Sequence, residues 1–214
     1  MQRALLLALC AATASAYAPA LRAARPRRLA LRAAAVDAGG AVAAAKTRLL
    51  AEVEGADQGR DLKRRGTVQS HIEALEAMNP TAAPLASPLL SGRWRLVYTT
   101  SDSILGTKRL RPFRPRPRIL QHINAESLRA YNEEWVLGGL LRNSVRATLA
   151  PAPADATRTV DVQFTRFGLG WLKIPAPAKA RGTLTTTFLD GDLRISRGDR
   201  GSIFVLVRDG KSRV

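Results

Sequence analysis

Residues 182–208 read GTLTTTFLDGDLRISRGDRGSIFVLVR, and their pattern predicts three β-strands joined by two tight turns. Residues 183–188 alternate between two faces with the two-residue period of a strand. Gly191 is expected to take a positive φ in the first turn, and residues 198–201 form the second. Residues 203–207 are a nearly continuous apolar run, which is typical of a strand covered on both faces. The stretch therefore indicates the closing part of an antiparallel sheet or barrel.

Upstream of this stretch, short alternating segments predict further strands. An opening strand is expected at residues 92–99, where Trp94, Leu96 and Tyr98 share one face. The other expected strands lie at 119–124, 127–135, 141–149 and 159–167. Residues 168–177 are interpreted as an irregular apolar loop at a barrel mouth. About eight or nine antiparallel strands suit a barrel that holds one small ligand.

Two helices are expected before the strands. Residues 41–54 place Val42, Leu49 and Val53 on one helical face, and residues 67–78 repeat such a face. Packing support for the sheet is the favoured role of these helices. A position across the open end of a barrel is one alternative.

Two long segments carry a resemblance to a known family. Residues 185–205 read TTFLDGDLRISRGDRGSIFVL, and residues 79–101 read NPTAAPLASPLLSGRWRLVYTTS. In this order they resemble the plastid lipid-associated proteins, also called fibrillins, over residues 41–208. The resemblance implies a mainly β fold, a lipocalin-like antiparallel β-barrel preceded by two N-terminal α-helices. It also implies binding to, or association with, plastid lipids. For the two helices it implies a second alternative, contact with a membrane or a partner.

The resemblance extends to the way in which such a barrel is closed. Gly92 and Trp94 are similar to the Gly-x-Trp motif that opens lipocalin barrels, in which the tryptophan plugs the closed end. The implied stacking partner is an arginine of a late strand, either Arg194 or Arg197. A guanidinium over an indole contributes about 0.5–2 kcal/mol, so these residues are predicted to have a structural role.

An apolar barrel interior is expected to bind a carotenoid, a quinone or a lipid. The alternative for the aromatic members of the predicted lining is a plain core. Asp190 is included because the resemblance implies an acidic ligand contact near this end, although a turn-capping aspartate is the simpler interpretation. The candidate ligand-binding residues are Trp94, Leu96, Tyr98, Phe164, Trp171, Phe188, Asp190 and Phe204.

A segment rich in arginine and proline, residues 108–118, stands between the first two strands. Proline at this density blocks helix and central strand, so an exposed extended loop is expected. The segment contains no acid, and each basic residue near an anionic membrane contributes about 1 kcal/mol. A solvated loop without function is the alternative. The candidate membrane-surface residues are Lys108, Arg109, Arg111, Arg114, Arg116 and Arg118.

The formal net charge of the 214-residue chain is +17. Residues 1–36 hold six arginines and no acid, and without them 28 basic and 17 acidic residues still leave +11. Residues 1–16 are interpreted as a signal peptide and residues 17–36 as a plastid transit segment. Such a bipartite leader resembles that of algae with complex plastids, and secretion is the alternative. Residues 37–80 then form the two-helix segment and residues 81–214 the barrel.

The sequence offers little for catalysis. The single cysteine, Cys10, lies in the predicted leader, and His71 and His122 are too few for a metal cluster of His and Cys. Nucleophile elbows and phosphate-binding glycine loops are absent from the sequence. No catalytic residue, metal or cofactor is therefore expected. The competing functions are a binding protein, a structural coat of lipid bodies, and a nucleic-acid binder, which the lack of a recognised motif disfavours.

Overall fold

A computed structural model describes residues 24–115 and 117–214, with side chains described from residue 39 onward. The predicted signal peptide, the first part of the predicted transit segment and Arg116 lie outside the described residues. The chain divides into two units, Met1–Ala41 and Val42–Val214, and the second unit contains the sheet. Among the described helices, none has an apolar stretch long enough to cross a bilayer.

Three α-helices are described: α1 (Ala24–Glu54), α2 (Arg65–Ala77) and α3 (Asp102–Leu105). α1 begins well before the predicted start at residue 41, because alanine, leucine and arginine in residues 24–36 also favour a helix. α2 lies close to its predicted bounds. The loop after α2 is fastened to the sheet by Asn79, whose Oδ1 accepts from the Leu189 amide at 3.0 Å, and by Thr81, whose hydroxyl donates to the Leu189 carbonyl at 2.6 Å.

Nine strands are present in the described residues, and they form one antiparallel sheet. They are β1 (Gly92–Thr99), β2 (Ile119–Asn124), β3 (Arg129–Val136), β4 (Leu141–Pro151), β5 (Thr159–Leu169), β6 (Leu172–Pro175), β7 (Arg181–Leu189), β8 (Leu193–Gly198) and β9 (Ile203–Gly210). Neighbours follow the order β4-β3-β2-β1-β9-β8-β7-β5-β6, and β4 also pairs with β5. That pairing closes β1–β5 and β7–β9 into an eight-stranded barrel, so the predicted fold is confirmed.

The short strand β6 belongs to a hairpin that extends one part of the wall. β5 pairs with β7 along Thr159–Gln163 and with β6 along Arg166–Leu169. The turn between β5 and β6 contains Gly170, whose φ of +60° suits glycine. The prediction of an irregular loop at 168–177 is therefore wrong, although the segment does lie at one end of the barrel.

Two of the four register shifts in the sheet decide which side chains of β1 and β7 face inward. Between β1 and β9 the shift lies between Leu96 and Tyr98, and between β7 and β8 it lies between Thr186 and Phe188. An extra residue in one strand reverses the alternation of the residues that follow. Tyr98 and Phe188 consequently turn outward, and Leu96 and Thr186 face inward. The prediction that Tyr98 shares a face with Trp94 and Leu96 is wrong for this reason.

The helices cover the outer face of the wall that contains these shifts. α1 and α2 contribute Leu49, Val53, Val68, Ile72 and Leu75 to a core that also includes Tyr98, Phe188, Leu193, Ile195, Ile203 and Val205. The part of α1 from Val42 onward and α2 therefore lie on the wall of the barrel and do not span its open end. In β9, Ile203 and Val205 face the helices while Leu206 belongs to an inner cluster with Trp94. The predicted two-sided coverage of this strand is confirmed.

The hairpin between β7 and β8 is formed without a positive φ at Gly191, contrary to the prediction. Among described residues, left-handed glycines include Gly201 in the second turn, with φ +70°, but not Gly191. The first turn is stabilised by Asp190, whose Oδ1 accepts from the amides of Asp192 and Leu193 at 2.8 and 2.7 Å. Because Asp190 caps the turn in this way, the turn does not require a glycine with a positive φ.

Candidate ligand cavity

The barrel encloses a cavity of about 570 Å³. This volume lies within the range of about 300–1,000 Å³ that is typical of small-molecule sites. Five strands, β1, β4, β5, β7 and β9, contribute apolar side chains that the register turns inward. These side chains are Leu96, Val145, Leu149, Val160, Val162, Phe164, Leu184, Phe204 and Leu206.

One end of the cavity is open and the other is closed. β1, β3 and β5 end at the same side of the barrel, where the exposed side chains of Lys179, Arg181 and Arg200 line the cavity. We call this side the mouth. At the opposite end Trp94 is fully buried and packs with Leu90 and Leu189. We call this end the floor.

Trp94 is fixed at the floor by an arginine that the sequence analysis did not consider. The Arg208 guanidinium carbon lies 4.2 Å from the centroid of the Trp94 ring, and Arg194 lies at 5.2 Å. Arg208 also donates to the carbonyls of Ser91, at 3.2 Å, and Leu89. A Cβ at Gly92, where φ is +154°, would come within 2.5 Å of Arg208 Nη1, so the glycine makes room for this stack. Arg208 therefore holds the segment before β1 against the tryptophan.

Arg197 lies on the outer wall, away from Trp94. Its Nε and Nη2 donate to Glu76 of α2 at 2.8 and 2.7 Å. The hydrogen bond to Glu76 raises the pKa of Arg197 above its ordinary value. Arg197 thus joins β8 to α2, and the interpretation of it as a stacking partner of Trp94 is wrong because its position in β8 faces the helices.

The predicted ligand-binding residues divide into two groups. Leu96, Phe164 and Phe204 line the cavity. The others lie elsewhere: Trp94 is sealed beneath the arginines, and Tyr98 and Phe188 pack against the helices. Asp190 accepts from Lys46 Nζ at 2.7 Å on the outside of the barrel, and Trp171 is 91% exposed at the tip of the β5–β6 hairpin.

The arginine- and proline-rich segment forms part of the mouth, because it joins the end of β1 to the start of β2. Lys108, Arg111 and Arg114 are exposed, and residues 111–113 form a short 3-10 turn in place of the extended chain that was expected. Arg109 differs from them, since its Nη1 donates to Glu134 at 2.9 Å and its side chain lines the cavity. Arg118 lies 3.6 Å from Asp209 and is still 64% exposed.

Large apolar side chains are exposed around the same mouth. A hollow of about 360 Å³ lies between the segment's Phe113 and the hairpin's Leu172 and Ile174, so these two loops adjoin. Clustered exposed apolar surface is unusual on a monomeric protein and marks interaction sites. We call this set the apolar rim; its members are Leu110, Phe113, Trp135, Leu140, Leu169, Trp171, Leu172 and Ile174.

A polar patch on the inner wall was also missed by sequence reasoning. Arg194 is 1% exposed, and Ser196 and Thr186, both buried, lie beside it with their hydroxyl oxygens 3.5 Å apart. Gln121 of β2 accepts from Arg194 Nη2. The alternation Leu193-Arg194-Ile195-Ser196 does place the two polar residues on one face, and that signal was available. Within 24–115 and 117–214, no group of three or more His, Cys, Asp or Glu side chains is arranged to hold a metal ion.

Comparison with known proteins identifies the family. A family model described as PAP_fibrillin matches residues 43–174 and 171–207, which together make up most of the chain. The chain belongs to the PAP/fibrillin family. The resemblance drawn from the two sequence segments is thereby confirmed.

Curated relatives agree with this family assignment. This PAP/fibrillin chain is 40% identical over 135 residues to a probable plastid-lipid-associated protein 5 of Arabidopsis thaliana, covering 62% of the chain and 54% of the relative. It is 31% identical over 219 residues to a chromoplast-specific carotenoid-associated protein of Cucumis sativus, covering 78% and 68%. It is 29% identical over 199 residues to plastoglobulin-1 of Pisum sativum, covering 69% and 55%. The chain spans about half to two thirds of the length of the curated relatives that it matches.

Proposed function

We propose that this protein is a non-enzymatic plastid lipid-associated protein that carries a hydrophobic small molecule, a carotenoid, quinone or lipid, in its barrel. We further propose that it associates with plastoglobules or thylakoid membranes through the mouth of the barrel. The observation that carries the proposal is the 570 Å³ cavity, which is open at one end and walled by apolar side chains.

Ligand binding is favoured by the exposed apolar surface inside the cavity. Val162, Phe164 and Leu184 face inward, yet none of them is fully buried, because the space in front of them is not filled by other side chains. Removing apolar surface from water contributes about 25 cal/mol per Å². An apolar ligand that covers these walls would gain this contribution without opening a new cavity.

Membrane association is favoured by the composition of the mouth. The apolar rim offers side chains that can enter a lipid layer, and exposed Lys108, Arg111, Arg114 and Lys173 surround it with positive charge. Aromatic and basic side chains together are typical of protein surfaces that bind anionic lipid interfaces. Docking in this orientation would bring the cavity entrance to the lipid from which a ligand comes.

A plastid location is supported by the names of the relatives, which are chloroplastic or chromoplastic proteins and include a plastoglobulin and a carotenoid-associated protein. The basic, acid-free residues 17–36 agree with import into a plastid. The bipartite leader remains a prediction of the sequence. The absence of an enzymatic role is part of the proposal, and it is supported by a family whose relatives are named for lipid association.

The test of ligand binding is extraction of the purified full chain with organic solvent, followed by mass spectrometry. We expect a hydrophobic plastid metabolite in near-stoichiometric amount when the protein is isolated from plastids. Recovery of no such molecule, together with no binding of added carotenoid, quinone or fatty acid, would overturn the carrier function. The alternative, a structural coat of lipid bodies without a bound ligand, would then remain.

Membrane association is tested separately by flotation with vesicles that contain anionic lipid. Charge reversal of Arg111 and Arg114 should weaken flotation at low salt, and the difference should shrink at high salt because surface charges are screened. The matched control reverses Arg129 and Arg158, exposed arginines toward the floor end of the barrel. Equal losses in both double variants would mean that net charge alone, and not the mouth, governs binding.

A further inference from the structure

Arg194 is a buried cation inside the cavity without a partner of opposite charge. The residue is 1% exposed and belongs to the cavity lining. Its Nη2 donates to the neutral Gln121, and its Nε is buried with no hydrogen-bond acceptor. Among the described residues, no carboxylate lies within ion-pair distance of it, whereas ten contacts between other lysine or arginine side chains and carboxylates are present.

This arrangement is costly for the protein on its own. Transferring an unpaired charge out of water carries a penalty of several kcal/mol, which only a counter-charge and good hydrogen bonds offset. Burial, and secondly the positive charge of Arg208, lower the pKa of the Arg194 guanidinium to about 9. The Trp94 ring at 5.2 Å supplies part of the compensation, but it accepts no hydrogen bond from Nε.

The usual structural role of such an arginine is already filled. Arg208 is closer to the Trp94 ring, at 4.2 Å, and it alone of the two reaches the backbone carbonyls of Leu89 and Ser91. The contacts that hold the segment before β1 against Trp94 are therefore made by Arg208 and not by Arg194. Arg194, the second arginine at this depth, still lacks an acceptor for Nε and a counter-charge. A ligand that enters the cavity could supply both.

We propose that Arg194 anchors the oxyanion head of an amphiphilic lipid, a carboxylate or a phosphate at the end of an apolar chain. This inference rests on the proposed function of the cavity and narrows its ligand class. A guanidinium presents a planar fork of donors that matches carboxylate and phosphate oxygens. The hydroxyls of Ser196 and Thr186, next to it on the same wall, are further donors for the head group.

The geometry sets the direction of the ligand. Arg194 stands four residues from Gly198 at the mouth end of β8, a distance of about 13 Å along the strand. Between them the wall is lined by Leu184, Phe204 and, two strands from β8, Phe164. The head group thus lies deep near the floor, and the apolar chain extends through the cavity toward the mouth.

The experiment compares ligands that share one chain and differ only in the head. Delipidated full-length protein is titrated with oleate, oleyl phosphate and oleyl alcohol in competition with an apolar fluorescent dye. A hydrogen bond to a charged group contributes about 1.5–3 kcal/mol, and 1.4 kcal/mol corresponds to a factor of ten. We expect at least one of the two anions to bind about tenfold or more tightly than the alcohol.

Substitution of the arginine isolates its contribution. Arg194→Met should reduce the preference for the anion to near unity and leave alcohol binding within about threefold of the wild type, since the methionine keeps the apolar stem. Arg194→Lys should keep part of the preference because it keeps the charge. The matched control is Arg95→Met, which removes an exposed arginine from the outer face of β1 and should change neither value.

The unfolding temperatures of the ligand-free variants show whether Arg194 serves to bind a ligand or to stabilise the fold. Arg194→Met should unfold at the wild-type temperature or above it, because an unpaired buried charge has been removed. The anchor is overturned if all three ligands bind the wild type equally, if the preference survives in Arg194→Met, or if the ligand-free variant unfolds several degrees lower. Equal binding of the three ligands rejects the anchor alone. Binding of none of them also rejects the anchor, and the carrier function falls with it only if carotenoid and quinone fail to bind as well.

Discussion

The hairpin tip at the mouth offers the sharpest test of how the protein meets lipid. Trp171 is 91% exposed, and a tryptophan side chain buries about 150–250 Å² when it leaves water. At about 25 cal/mol per Å² full burial gives about 4–6 kcal/mol, and insertion to half that depth gives about 2–3 kcal/mol. Trp171→Ala should therefore lower the partition coefficient onto vesicles by roughly thirtyfold or more.

The assay is flotation of the full chain over a series of lipid concentrations, at high salt so that the charge contribution is screened. A matched pair of leucines provides the control. Leu172 at the mouth is 49% exposed, and Leu128 in the turn between β2 and β3, at the floor end, is 40% exposed. Leu172→Ala should weaken flotation and Leu128→Ala should not. The mouth-first orientation would be refuted if Trp171→Ala floats like the wild type, or if the two leucine variants lose binding equally.

Two further outcomes follow from the floor and from the outer wall. Arg208→Met removes the stack on Trp94 and two charged hydrogen bonds to the segment before β1. We expect the free energy of unfolding in urea to fall by about 2–4 kcal/mol, in contrast to Arg194→Met. Equal stability of the two variants would contradict the assignment of the stack to Arg208. His122 is fully buried, and this burial lowers its pKa below the ordinary value of about 6.5. Its neutral form therefore stabilises the fold above that pH, and this contribution is lost as the pH falls through the lowered pKa. Between about pH 7 and 5 the wild type should lose more stability than His122→Asn, and parallel unfolding curves for the two proteins would argue against this titration.

The order and bounds of the strands could be predicted closely from the sequence. The structure gives β1 and β2 the predicted bounds, because period-two alternation is interrupted there by glycine and by the proline-rich segment. The hairpin of β6 was missed, since residues 172–175 are too few and too uniformly exposed to alternate. The extended start of α1 was missed because residues 17–36 were interpreted as a transit segment.

The orientation of individual side chains was harder to predict. Tyr98 and Phe188 are apolar and buried in either orientation, so nothing in their identity reveals the register shift that turns them from the cavity to the helices. Arg208 was overlooked because it stands at the end of the matched region, and stacking depends on which face of β9 it occupies. The three predicted residues that do line the cavity are Leu96, Phe164 and Phe204. Each of them lies before a register shift or on a part of a strand in which the alternation is kept.

The divided pairing of β5 has a mechanical consequence. Among the described strands β6 is hydrogen-bonded to β5 alone, so separating it breaks one short ladder and leaves the ring of eight strands intact. The amide protons of residues 172–174 should accordingly exchange with deuterium long before those of β8, which has a neighbour on each edge. We therefore expect β6 to separate from β5, and so to widen the entrance sideways, at a cost far below that of unfolding the protein.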